Sequence, residues 1–140
     1  MPIETNDLDG GIGVLIYGVG AITNEEYLES FKNHLTQSRE KLERYLYTLS
    51  DFTSATEVNV SSESISLVVS WCKDVAKYNR HVIVATVAHD DLIYGLARMS
   101  QMLMEQTGWQ HEVFRNREDA VTWIRKSVEA RFGIDNLTMA

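Results

Sequence analysis

The chain of 140 residues is long enough for one domain with its own hydrophobic core, since 44% of its residues are hydrophobic and 24% are charged. Its formal net charge of −7 argues against binding to nucleic acid or to an anionic membrane, because both require a positive surface. Met1–Gly11 contains no apolar run, so we expect no signal peptide. The longest apolar run, Val82–Ala88, is too short to span a membrane, so we expect no membrane insertion, and the single Cys72 favours a cytoplasmic location.

The first twenty residues predict a β-hairpin followed by a turn. Ile3–Leu8 precedes Asp9-Gly10-Gly11, and glycines in that position accept the positive φ of a tight turn. Ile12–Tyr17 is rich in β-forming residues and predicts the second strand. Gly18-Val19-Gly20 then predicts a glycine-permitted loop, since the spacing lacks the third glycine of a dinucleotide-binding turn.

A helix and a strand are predicted next. Thr23 and Glu26 have capping-box spacing, and the apolar residues that follow predict an amphipathic helix over residues 24–37. Ser38–Arg44 is predicted as a loop or a frayed helical end. Tyr45–Leu49 is predicted as a strand that ends at the following serine and aspartate.

The middle of the chain predicts a second helix and a central strand. We expect a loop over Phe52–Val60, after which Ser61 or Ser62 caps a helix whose apolar residues over 65–76 follow helical spacing. Cys72 lies on that apolar face and is expected to be a buried, inert thiol. Val82–Ala88 is a continuous apolar run, which predicts a strand covered on both faces.

The last third predicts a helix, a strand and a helix. Asp90 is the expected cap of the first helix, and Gly108 its end. Gln110–Phe114 is predicted as a strand, and Asn116 as the cap of a final helix that stops at Gly133. The buried faces of the two helices are predicted to consist of Leu92, Leu96, Met99 and Leu103, and of Ala120, Val121, Ile124 and Val128.

This order predicts an α/β fold: a mixed five-stranded sheet, made of an N-terminal β-hairpin and then alternating strands and helices, with four helices. We expect one domain over residues 1–130 and a C-terminal tail over 131–140.

The order of elements resembles the STAS domain, the fold of sulfate transporters and anti-sigma-factor antagonists. DLIYGLARM over residues 91–99 and FRNREDAVTWI over residues 114–124 resemble segments of small bacterial STAS-like proteins of mostly unknown function. The resemblance implies a non-catalytic regulatory or protein-interaction module. It also makes Ser61 and Ser62 the phospho-acceptor candidates, although Asn59 and Val60 stand before them in place of the expected aspartate. The alternative is that these serines only cap their helix.

A ligand site is predicted at the strand ends. In open parallel sheets ligands bind beyond the carboxyl ends of the strands, where Asp51, His89, Asp90 and Arg115 are expected. The alternative function is therefore a carrier or sensor of a small apolar or anionic ligand at this rim. The structural alternative is that Asp90 caps its helix and the others lie in solvated loops.

A contact surface is predicted on the helix after His89. Tyr94, Arg98 and Met102 lie off its predicted buried face, and Trp109 extends the patch, so we expect a homodimer or another protein partner there. The alternative is a helix buried widely within its own fold. The sequence contains no catalytic motif, and its histidines lack metal-ligand spacing, so we expect no enzyme activity, no cofactor and no metal.

Overall fold

The computed structural model describes residues 2–139, in which five strands form one sheet and five helices cover it. Met1 and Ala140, which the domain and tail predictions include, lie outside the described residues. The strands are β1 Ile3–Leu8, β2 Gly13–Ile22, β3 Tyr47–Val58, β4 Ile83–Val87 and β5 Gln110–Phe114. The helices are α1 Asn24–Leu35, α2 Arg39–Arg44, α3 Ser62–Ala76, α4 Asp91–Met104 and α5 Arg117–Phe132.

The sheet keeps its strands in chain order, β1-β2-β3-β4-β5. β1 pairs antiparallel with β2, and every later pair is parallel. Each parallel pair requires a connection across a face of the sheet, which the helices provide. The predicted mixed five-stranded α/β sheet is confirmed, with five helices in place of four.

The two faces of the sheet are covered differently. On one face α5 packs directly against β3, β4 and β5, and its buried residues join Tyr47 and Leu49 of β3 in one core. On the other face α3 contacts mainly its neighbours α1 and α4. Since side chains alternate along a strand, Thr48 and Ser50 of β3 lie on this second face.

Two predicted loops are strands in the structure. Gly18-Val19-Gly20 lies within β2, and most of Phe52–Val60 lies within β3, because these two strands stay paired as far as Ile22 and Val58. The register shifts between Tyr17 and Val19 and again between Gly20 and Ala21. Gly20 has a φ of 70°, which only glycine adopts without strain. The irregular pairing explains why local sequence patterns did not reveal these strand ends.

The fifth helix is α2, within the segment predicted as a loop or frayed end. Its N-cap is Ser38, whose hydroxyl accepts a hydrogen bond from the Lys41 amide at 3.3 Å. Leu42 is 2% exposed and fixes this short helix to the core. Tertiary packing therefore stabilises a helix too short to be stable alone.

The predicted helix starts are confirmed. Thr23 and Glu26 form a complete capping box at α1. Ser61 caps α3, Asp90 caps α4 and Asn116 caps α5, each by accepting amide hydrogen bonds. These contacts satisfy amide groups that the helix itself leaves without partners.

The segment after α5 packs back onto the hairpin turn. Asp9 accepts hydrogen bonds from the Thr138 amide at 2.7 Å, the Thr138 hydroxyl at 2.8 Å, the Met139 amide at 3.1 Å and the Tyr47 hydroxyl. Leu137 and Met139 are buried in the core beneath α5. Residues 137–139 therefore cover that face of the sheet together with α5. In residues 2–139, no helix is long and apolar enough to cross a membrane.

Candidate functional site

A cavity of about 100 Å³ lies between the sheet and helices α1, α3 and α4. Side chains of these helices form its walls, including Phe31 of α1, Val68 of α3 and Ala97 of α4. Protein interiors contain few voids larger than a water molecule, so a space of this size is a distinct feature of the fold. It lies on the face where α3 contacts its neighbouring helices more than the strands.

The floor of the cavity carries a polar track across three strands. Ser50 of β3 is in register with Thr86 of β4, and the Thr86 hydroxyl lies 2.8 Å from Nε2 of His111 on β5. Thr48 lies one pleat away on the same face of β3. All four side chains line the cavity from the sheet, while the helical walls are largely apolar and add His34 of α1 and Ser100 of α4 as polar groups.

One polar atom beside this cavity has no partner in the described part of the chain. His111 Nδ1 is fully covered and makes no hydrogen bond, although Nε2 of the same ring contacts Thr86. Burial lowers the pKa of His111 to about 4, so the ring is neutral at pH 7. A buried group without a partner costs free energy, but because Nδ1 is fully covered it presents no surface to a ligand in the cavity.

The second histidine of the cavity is also neutral. His34 of α1 is 7% exposed, and burial lowers its pKa to about 4 despite the opposing effect of Asp7. Its Nδ1 lies 3.1 Å from the Gln37 amide nitrogen, and its ring packs against Tyr45 with centroids 5.5 Å apart. Within the described residues, no aspartate, glutamate, lysine or arginine lines the cavity. The cavity is therefore uncharged at neutral pH.

Cys72 lies in the wall of the cavity, as expected for an apolar helix face. It is 6% exposed, and burial raises the pKa of its thiol to about 12. The thiol is protonated at neutral pH, which makes it a poor nucleophile.

The strand-end rim comes together only in part. Arg115 donates to the His89 carbonyl at 3.1 Å and to the Asp91 carboxylate at 2.6 Å, and its guanidinium stacks over the Tyr94 ring at 3.8 Å. Asp90 accepts hydrogen bonds from two amides of α4 as its N-cap, which is the structural alternative to a ligand-binding role. These bonds use the Nη1 atom of Arg115 and the Oδ1 atom of Asp90.

Asp51 has a different set of partners from the rest of the rim. It is 3% exposed and accepts from the Thr53 amide at 2.9 Å and from Arg117 at 3.4 Å. It therefore connects the end of β3 to the start of α5, on the face of the sheet opposite the cavity.

The two serine candidates differ in their surroundings. The Ser61 hydroxyl caps α3 and lies 3.0 Å from the Ser64 hydroxyl, while the Ser61 amide donates to Asn24 of α1. Ser62 is exposed at the first position of α3. Ser61 acts as the N-cap, and both Ser61 and Ser62 stay predicted phospho-acceptors.

The predicted buried face of α4 is right at Leu96 and Leu103, which pack against the core, and wrong at the other two positions. Leu92 is 83% exposed and Met99 is 38% exposed, whereas Ile93 and Ala97 are buried. Apolar residues surround most of this helix, so their spacing alone did not determine which ones face the core.

The predicted contact surface on α4 also differs from the one in the structure. Met102 is 67% exposed and Arg98 is exposed, while Tyr94 is half-buried beneath Arg115. Trp109 is 8% exposed and donates its indole N–H to the Asn79 carbonyl at 2.8 Å, so it belongs to the core and not to an exposed patch. In its place, Leu92 and Met99 join Met102 on the outer face of α4.

The polar track was not predicted from the sequence. Thr86 stands alone in the apolar run Val82–Ala88, and Thr48 and Ser50 alternate with Tyr47 and Leu49. Hydroxyl side chains at inward-facing positions of buried strands were the only sign of the polar track in the sequence. They indicate a shared site only once the pairing of the strands is known.

The comparisons with known proteins support the fold. The chain has a SpoIIAA-like, STAS-like fold, as the sequence resemblance implied. An uncharacterised protein of the DUF3478 family with a SpoIIAA-like fold, from Shewanella loihica PV-4, superposes with a TM-score of 0.53 at 17% identity, over 87% of this chain and 91% of that chain. No protein-family model matches the chain, and no curated protein matches it either.

Proposed function

We propose that this protein is a non-catalytic carrier or sensor that holds one small, largely apolar molecule between the sheet and helices α1, α3 and α4. The observation that carries the proposal is the polar track, because it places four hydrogen-bonding side chains on the sheet side of a largely apolar cavity. Small-molecule sites in proteins have this composition: apolar walls and a few polar groups that fix orientation. The proposal keeps the predicted carrier function but moves its ligand from the rim to the interior.

The chemistry of the cavity supports binding over catalysis. A general base is most effective when its pKa lies near the working pH, whereas burial lowers the pKa of both His34 and His111 to about 4. The Cys72 thiol is protonated at neutral pH because burial raises its pKa to about 12. The two histidines and the cysteine can therefore shape the cavity and form hydrogen bonds to a ligand, but they are poor acid–base or nucleophilic catalysts at neutral pH.

Native mass spectrometry of the protein isolated from its host cells tests this proposal. We expect a small organic adduct on the wild-type chain that is absent from Ala97→Leu, which extends a larger side chain into the cavity from α4. Ala130→Leu makes the same change at an exposed position of α5 and should retain the adduct. If no adduct is found and xenon shifts no methyl resonance of Val68, Val84 or Ile93, which all line the cavity, the proposal is wrong.

A second candidate function is self-association through the outer face of α4. Leu92, Met99 and Met102 are exposed at helical spacing, and Gly95 lies on the same face. A Cβ atom at Gly95 would meet nothing within 4 Å, so the fold of the single chain does not require a glycine there. A glycine in a helix interior costs roughly 0.5–1 kcal/mol, and close approach of a second copy of this helix would explain it.

Analytical ultracentrifugation tests whether the protein self-associates through this face. We expect a dimer whose dissociation constant rises at least tenfold in Met102→Glu, which places a charge in the apolar face. Thr122→Glu, an exposed position on α5, serves as the control and should leave the dimer unchanged. A monomer at all concentrations up to the millimolar range would remove the self-association proposal and leave the cavity proposal untouched.

A further inference from the structure

The cavity restricts the charge of any molecule that it accepts. None of the described residues that line it carries a charge at neutral pH, so an ion would enter without a counter-charge. Moving an unpaired ion from water into an apolar interior costs far more than one or two hydrogen bonds return. The predicted anionic ligand is therefore disfavoured for this site.

The size of the cavity and the side chains of its walls restrict the shape of the ligand. A cavity of about 150 Å³ lined by apolar side chains binds benzene, so a smaller space of about 100 Å³ limits the ligand to one ring or a short branched chain. Tyr27 and Phe31 from α1 and Phe52 from β3 line the cavity. Aromatic side chains favour a ring ligand, because rings pair edge-to-face or offset with a gain of about 0.5–1.5 kcal/mol beyond area burial.

The polar track restricts which functional group the ligand can carry. In one tautomer of His111 the Thr86 hydroxyl donates to Nε2, and in the other Nε2–H donates to Thr86, which frees the threonine proton for another acceptor. A ligand hydroxyl both donates and accepts, so it complements the pair in either arrangement. Ser50 on the adjacent strand offers a second hydroxyl at the same end of the cavity.

We infer that the ligand is an uncharged molecule with a single ring and one hydroxyl group, held with the ring among the aromatic walls and the hydroxyl at Ser50, Thr86 and His111. This inference rests on the proposed cavity function and specifies its ligand class.

Calorimetric and NMR titrations with three molecules that share one ring test the class. At pH 7.5 we expect p-cresol to bind about three- to tenfold more tightly than toluene, which corresponds to one net hydrogen bond. We expect 4-methylbenzoate, an anion of similar shape, to show no binding. Thr86→Val removes a hydroxyl without changing the side-chain shape, and it should bring the p-cresol and toluene affinities together while toluene still binds.

Controls keep the inference separable from the proposed function. Ser50→Ala removes the neighbouring hydroxyl and provides a second test if Thr86→Val does not fold, while Thr122→Val makes the same change on the exposed surface of α5 and should alter nothing. If toluene binds as tightly as p-cresol, or 4-methylbenzoate binds at all, the inferred ligand class is wrong although the cavity still binds molecules. If none of the three binds but xenon does, only the inference fails; if xenon also fails to bind, the proposed function fails.

Discussion

Lowering the pH from 7 to 5 should destabilise the protein through His34 and His111. Burial lowers the pKa of each imidazole to about 4, whereas a histidine in the unfolded chain titrates near 6.5. Between these two values the unfolded chain binds more protons than the folded protein, so the free energy of unfolding falls as the pH falls. This stability is fully present above pH 6.5 and is lost progressively toward pH 4.

The magnitude follows from the two pKa values. At pH 5 the shift from about 6.5 to about 4 corresponds to about 2 kcal/mol for each histidine, and to about 4 kcal/mol for both if they titrate independently. A domain of this size has a total stability of about 5–15 kcal/mol, so the loss is large. Asp9 contributes little in this range: partial burial opposes the shift, but hydrogen bonds from Tyr47, Thr138 and Met139 bring its pKa below the ordinary 3.8.

Urea unfolding at pH 5, 6, 7 and 8, followed by tryptophan fluorescence, measures this dependence. We expect the free energy of unfolding to fall by several kcal/mol from pH 8 to pH 5, and His34→Gln and His111→Gln each to remove about half of that decrease. His89→Gln replaces an exposed histidine and should leave the decrease intact. If both buried variants retain the full wild-type pH dependence, the burial of the imidazoles is not its cause.

Three further changes test other features of the fold. Gly95→Ala should raise the free energy of unfolding of the monomer by roughly 0.5–1 kcal/mol in urea melts, since the helix meets no obstacle there; a decrease would show a hidden packing role. Asp9→Asn should lower it by about 1–3 kcal/mol, because the charge-assisted hydrogen bonds that Thr138 donates to the Asp9 carboxylate are weakened. Asp135→Asn, at an exposed position of the same C-terminal segment, should leave it unchanged. Cys72 should react with a thiol reagent only as fast as the protein unfolds; rapid modification of the folded protein would contradict its burial and its raised pKa.

Local signals in the sequence predicted the helix starts well. Thr23, Ser61, Asp90 and Asn116 each act through an amide a few residues away, so their effect does not depend on the rest of the fold. The continuous apolar run around β4 likewise predicted a strand between two helical layers, because that pattern reflects burial on both faces.

Features that depend on distant partners were not predicted. The final residues of β2 and β3 are strands because each pairs with the other, and neither segment resembles a strand by itself. The face of α4 that points inward is decided by the residues beneath it, since Leu92 and Ile93 are equally apolar. The polar track combines residues of three adjacent strands, with His111 placed diagonally to Thr86, so no single segment reveals it.

The unequal packing of the two faces has a mechanical consequence. The face beneath α5 is closely filled, with Ala120, Ile124 and Val128 at 0% exposure, whereas the opposite face encloses the cavity. Hydrostatic pressure favours states of smaller volume, and unfolding eliminates internal voids. Compression should therefore loosen α1, α3 and α4 from the sheet before it disturbs α5, and a bound ring that fills the cavity would make the two faces equally resistant.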